Sequence, residues 1–172
     1  MRIIFFLDVK NYNNGPCVSV ISDHQEFYSA RLSKKGKQSI ELDIPMTLPN
    51  KLILRHHGKD MKRDTLIDND GKIIDDKGFT IVAIGLDDLT LRDEIYFFRF
   101  VKENGDIIKN SNYVGFNGQF VIDINDKNLY NWHSGWQKML VTGQQDYSYE
   151  EFKKEILGRD TNAEKNIVLG TC

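Results

Sequence analysis

The chain has 172 residues, a length that fits one domain and allows about 70% of the unfolded surface to be buried. Its 23 basic and 25 acidic residues leave a formal net charge of −2, which excludes a general attraction to nucleic acid or to an anionic membrane. No apolar run approaches the ~20 residues that span a bilayer, and the apolar stretch within Met1–Asp8 is too short for a secretory signal, so membrane insertion and signal-led export are not expected.

Composition bends the expectation towards β structure. Alanine, the best helix former, is nearly absent, while isoleucine and asparagine are abundant and lysine outnumbers arginine sixteen to seven. That bias is of the kind carried by AT-rich genomes, such as those of many phages and low-GC bacteria. Cys17 and Cys172 stand near opposite ends, a spacing that supplies neither a disulfide framework nor a zinc motif, and they read as two reduced thiols.

Taken in chain order, Ile3 to Val9 is a β-branched and aromatic run ended by Asn11-Tyr12-Asn13-Asn14-Gly15-Pro16. Cys17 to Ser22 alternates apolar and small polar residues, as a half-buried strand does. Phe27 to Leu32 follows, and Lys34-Lys35-Gly36-Lys37 turns the chain as a solvated basic turn. Ser39 to Ile44 has period two, with Ile40, Leu42 and Ile44 on one face. Lys51 to His57 is another strand, in which adjacent His56 and His57 point to opposite faces, one packed and one exposed.

Phe79 to Leu86 forms a further strand that Asp87-Asp88 turns back onto Leu89-Thr90-Leu91. Glu94 to Val101 alternates and leads to Glu103-Asn104-Gly105-Asp106, an Asn-Gly hairpin signal. Tyr113 to Phe116, the turn Asn117-Gly118 and Gln119 to Ile124 read as a last hairpin. Many short strands at this spacing predict an antiparallel β-sandwich of jelly-roll type over residues 1–125. Residues 126–172 read as a helical C-terminal extension and tail that packs on the sandwich or on a neighbouring subunit. Within it, Ser148 and Glu151 form a capping box, Tyr149, Phe152 and Ile156 share one helix face, and Gly158 ends the helix. Asn128 to Met139 is a second helical or irregular segment, and Arg159 to Cys172 an extended tail.

The segment between the strands ending at His57 and starting at Phe79 is the most informative. From Asp64 to Asp76 it carries five carboxylates (Asp64, Asp68, Asp70, Asp75 and Asp76) against the single base Lys72. Crowded like charges must splay into water or recruit a cation, and two readings stand. In one, Asp68-Asn69-Asp70-Gly71 is a solvated β-turn. In the other, Asp60, Asp64, Asp68, Asp70, Asp75 and Asp76 supply ligands to a calcium ion, which takes roughly six to eight oxygens. An EF-hand is excluded, because placing Gly71 at its sixth position puts Leu66 first and Lys77 twelfth.

The order of strand, Asn/Gly-Pro turn, hairpin, strand with Leu52-Ile53-Leu54, Asp-rich loop and Phe79 to Leu86 resembles the calcium-dependent xylan-binding type of carbohydrate-binding module. The resemblance covers roughly residues 1–91. It implies a calcium ion with Asp60 at the first acidic position and Asp75-Asp76 at the second, its open sites chelating neighbouring sugar hydroxyls. A second partial match to the same pattern is Asn125-Asp126-Lys127-Asn128-Leu129-Tyr130.

Tyr130, Trp132 and Trp136 are candidate ligand-binding residues, as a platform on which sugar faces stack. Against that, aromatics four apart on a helix also fasten it to a core. Catalytic signatures are absent: there is no Gly-x-Ser-x-Gly, no His-Glu-x-x-His and no phosphate-cradling glycine loop, and Cys17 has no identifiable histidine partner. The expectation is therefore a non-enzymatic structural or adhesive subunit of a large assembly, a tailed-phage virion component made in the host cytoplasm. It would meet other subunits through its C-terminal extension and a glycan at its surface. The alternative is a calcium-dependent carbohydrate-binding module.

Overall fold

A computed structural model describes residues 1–129 and Trp132. Twelve strands lie among them: β1 (Arg2–Asn11), β2 (Cys17–Ser22), β3 (Gln25–Arg31), β4 (Gly36–Asp43), β5 (Asn50–His57), β6 (Thr65–Ile67), β7 (Ile73–Leu86), β8 (Leu89–Leu91), β9 (Arg99–Lys102), β10 (Ile107–Lys109), β11 (Tyr113–Val114) and β12 (Gly118–Ile124). They form two antiparallel six-stranded sheets, the mostly-β sandwich that the sequence predicts. In the first, the order is β11-β7-β1-β4, with β6 and β8 also paired to β7. In the second it is β10-β9-β12-β5-β2-β3.

The core fills the space between the sheets. Ile3, Phe5, Leu7 and Val9 of β1 and Phe79 and Ile81 of β7 meet Val18, Val20, Leu52, Leu54, Phe100, Phe120, Ile122 and Ile124 from the second sheet. Each such side chain contributes about 1.5–3 kcal/mol by leaving water. The alternate residues Ile4 and Phe6 are buried too, clustered with Ala83, so β1 is covered on both faces. That explains its unbroken apolar run, since a strand exposed on one face would alternate.

Two sequence expectations are corrected here. Residues Asp93–Phe97 form a 3-10 turn, and β9 begins only at Arg99. Ile95 and Phe98, three apart, are the buried pair, which suits three residues per turn and leaves Phe97 outside. The expected last hairpin is also absent, for β11 pairs with β7 in the first sheet while β12 joins β5 and β9 in the second. Asn117-Gly118 thus carries the chain from one sheet to the other. Gly118 is required there, because a Cβ would sit 2.3 Å from the Val101 carbonyl oxygen.

Residues 126–129 are helical, with the Asn125 side chain accepting a bond from Asn128 N at 2.9 Å in an N-cap arrangement. The predicted Ser148–Gly158 helix, the tail from Arg159, and Tyr130 and Trp136 lie outside the described residues. Among the described residues, no helix is long and apolar enough to cross a membrane.

Candidate functional site

The acidic segment folds as a hairpin arm. Thr65 pairs with Asp76 and Leu66 with Asp75, which makes β6 and the start of β7 a two-stranded ribbon. Its tip is Asp68-Asn69-Asp70-Gly71, where the Asp68 carboxylate accepts bonds from Asp70 N at 3.0 Å and Lys72 N at 2.8 Å and Gly71 takes φ +81°. Asp70 is exposed. Asp60 accepts from Lys62 N at 3.0 Å and sits 3.6 Å from Arg63, both close in sequence. Asp75 accepts from Asp76 N at 2.9 Å and meets Lys35 at 3.5 Å.

Among the described residues, Asp64 and Asp76 are the two buried carboxylates, and each has a lysine of its own. Lys77 Nζ donates to Asp64 at 2.8 Å, with Asn13 at 2.5 Å on the other oxygen and Asp60 N at 2.9 Å. Lys59 Nζ donates to Asp76 and, at 2.5 Å, to the Gly115 carbonyl. Thr65 and the Tyr113 hydroxyl also donate to Asp76. Gly115 lets the last of these form, since a Cβ there would lie 2.5 Å from the Tyr113 ring.

Electrostatics follow from this packing. Burial, against the raising pull of Asp76, holds the Lys59 ammonium below the usual lysine range. Burial alone would raise Asp64, but the bonds from Lys77, Asp60 N and Asn13 outweigh it and hold its carboxyl below the usual range. Burial and then the Asp76 carboxylate push the Tyr113 phenol far up, so its hydroxyl stays a donor.

The six carboxylates named from the sequence therefore do not converge. No three His, Cys, Asp or Glu among the described residues are placed to hold a metal. The residues present do not fit a shared calcium ion, because lysine ammonium groups already occupy the two buried carboxylates and backbone amides the turn aspartate. The signal for this was the pair Lys59 and Lys77, which flank the acidic stretch and fell outside the charge count taken within it. Of the alternative match at Asn125–Tyr130, Asn125 is the helix cap described above and residues 126–129 are the helical ones that follow it, while Tyr130 lies outside the described residues.

His56 is fully buried and His57 half-buried, on opposite faces of β5. His56 Nδ1 lies 2.9 Å from the Phe116 carbonyl oxygen and must carry the proton; Nε2 has no partner among the described residues. Its ring meets Phe79 edge-on at 5.7 Å. Burial chiefly lowers its pKa to about 4.

A different place has the form of a binding site. Beside the 3-10 turn, on the outer side of β9, β10 and β12, is a cleft of about 460 Å³. That volume falls within the range of small-molecule sites, about 300–1,000 Å³. Aromatic lining comes from Tyr96, Phe97, Phe98 and Trp132, and polar lining from Arg99, Lys109, Asn110, Asp123 and Asn128. Phe97 is 85% exposed and Tyr96 44%.

Trp132 is held in place by Phe98, whose ring stands 5.6 Å away and nearly perpendicular, and Phe98 is braced on Phe120 at 5.8 Å. Of the three aromatics named from the sequence, Trp132 lines this cleft while also packing on the core. Strand alternation sets the polar side, because Phe120 and Ile122 face the core while Val121 and Asp123 face outward. Arg99 lies opposite Val121 and Lys109 opposite Arg99, which brings all of them to one surface. Tyr96, Phe97 and Arg99 escaped the sequence reading because Glu94 to Val101 alternates like a strand.

The fold and this surface define an antiparallel β-sandwich with an open, aromatic-lined cleft. Among solved structures, one described as vCBM60 in complex with galactobiose matches with a TM-score of 0.49 and 14% identity, over 72% of this chain and 98% of that chain. No family model and no curated protein sequence matches the chain.

Proposed function

We propose that the protein is a non-catalytic carbohydrate-binding protein whose sugar site is the cleft lined by Phe97, Tyr96 and Trp132. The observation that carries this reading is Phe97, a large apolar ring 85% exposed at the rim of a cleft that also offers hydrogen-bonding side chains. Single exposed aromatics are ordinary, but a group of three around a concave polar floor suits the sugar ring, apolar on its faces and hydroxylated at its edges. Asp123 is the one carboxylate among the described lining residues, whereas glycoside hydrolysis ordinarily uses two, which supports binding over cleavage. No calcium enters this reading. The test is titration with a panel of oligosaccharides, in which Phe97→Ala weakens binding tenfold or more without loss of fold.

A second reading, a subunit of a larger assembly, is favoured by the hairpin arm. Leu66, Ile67, Ile73 and Ile74 are 40–62% exposed on a ribbon that leaves the sandwich. Contiguous exposed apolar groups of this kind mark contact surfaces. The two readings are compatible, since cleft and arm are built from different strands.

A further inference from the structure

We infer that the cleft takes an acidic saccharide, one bearing a uronate carboxylate, and that Arg99 and Lys109 hold that carboxylate. The inference rests on the sugar-cleft reading and deepens it.

Arg99 and Lys109 are directly paired across β9 and β10, and both are exposed in the cleft wall. Directly opposed residues of an antiparallel pair have Cβ atoms about 4.5–5.5 Å apart, and like charges so placed repel. Nothing among the described residues fully offsets that repulsion. Lys109 has no ion pair or hydrogen bond among the described residues, and Arg99 meets Asp123 only at 3.9 Å, with both side chains 48% exposed. Most of the guanidinium donors have no partner among the described residues, and the described lining retains one net positive charge from Arg99, Lys109 and Asp123.

A singly charged anion matches that remainder. The guanidinium fork matches a planar carboxylate in a bidentate manner, and an adjacent ammonium adds a point charge. The aromatic side of the cleft requires that the carboxylate be carried on a group with an apolar face. A uronic acid ring supplies both within one unit. Asn110 and Asn128, also in the lining, offer amide groups to its hydroxyls.

The experiment is calorimetric titration of the full chain with oligogalacturonate and with glucuronate-substituted xylan oligomers. Each is compared with the same oligomer after carboxyl reduction, at low and at physiological salt. Parent protein, Phe97→Ala and the Arg99→Gln/Lys109→Gln double variant are compared. At least one acidic oligomer is expected to bind tenfold or more tightly than its reduced form, a difference of about 1.4 kcal/mol. Added salt is expected to narrow that ratio, and the double variant to bring it close to one. Equal affinity for acidic and reduced forms, with binding lost in Phe97→Ala, overturns the acidic preference and leaves the sugar cleft standing. A preference that survives in the double variant overturns the role of Arg99 and Lys109. Absence of binding to either form overturns this inference, and the sugar cleft falls too if the neutral panel is also silent.

Discussion

Lys59 and Asp76 form an ion pair from which solvent is excluded at both ends, with 0% and 3% of the two side chains exposed. Lys59 follows β5 in the second sheet and Asp76 lies in β7 of the first, so the bond ties the two sheets together at the root of the arm. The Lys77–Asp64 pair, 7% and 4% exposed, does the same for the segment that leads into the arm.

Removing one partner leaves the other charged and buried, which destabilises a protein by about 3–5 kcal/mol. Lys59→Met is therefore expected to lower the unfolding free energy extrapolated from urea titrations by that amount. Lys59→Met combined with Asp76→Asn is expected to recover part of the loss, because no stranded charge remains. A double variant less stable than the single one in urea titrations would contradict the pairing.

With the buried carboxylates neutralised by lysines, calcium has no shared set of oxygens to bind. The melting temperature is expected to be the same in millimolar calcium and in excess chelator. A ligand specific for the folded state adds about 2.7 kcal/mol at a hundredfold excess over its dissociation constant, which thermal melting readily detects. A calcium-dependent rise that disappears in Asp75→Asn would contradict the lysine account.

The His56 environment fixes a pH dependence. Its pKa is about 4 in the fold and an ordinary 6.5 when unfolded, so between those values the unfolded chain binds the extra proton. Stability is thus complete above pH 6.5 and falls as pH drops towards 4, by on the order of 3 kcal/mol in all. The depressed Asp64 adds a loss of the same sign below the ordinary aspartate range. Urea titrations at pH 7, 5.5 and 4.5 should show this decline, and His56→Gln should flatten it. A parent profile level from pH 7 to 4.5 would contradict a buried neutral His56.

The arm predicts a separation of stability from association. Ile67→Ser and Ile74→Ser remove exposed side chains, so each is expected to change stability by no more than about 0.5 kcal/mol. If the arm is a contact surface, sedimentation velocity of the parent at rising concentration shows association that the double variant lacks. A parent that stays monomeric throughout would remove the support for self-association through the arm.

Much of the sandwich was legible from local pattern. The period-two strand at Ser39–Ile44, the turn at Asp87-Asp88, the Asn104-Gly105 hairpin and the Asp68–Gly71 turn each depend on neighbours in sequence, and each is present. Pairings between distant segments were not legible. Tyr113–Val114 looked like a partner of the strand that follows it, yet it crosses to β7, because a short connection fits a sheet-to-sheet crossing as well as a hairpin. The same limit hid the site. Lys59 meets Asp76 only through the register of the arm, and Phe97 emerges only when Ile95 and Phe98 turn inward together.

The most direct measurement of the central claim is isothermal titration of the full chain against neutral and acidic oligosaccharides, with Phe97→Ala alongside. Phe97 is mostly in solvent, so the variant should melt within a few degrees of the parent. The cleft account predicts that at least one saccharide binds the parent and that Phe97→Ala weakens it tenfold or more. Undiminished binding by Phe97→Ala, or no binding by the parent across the panel, would contradict it.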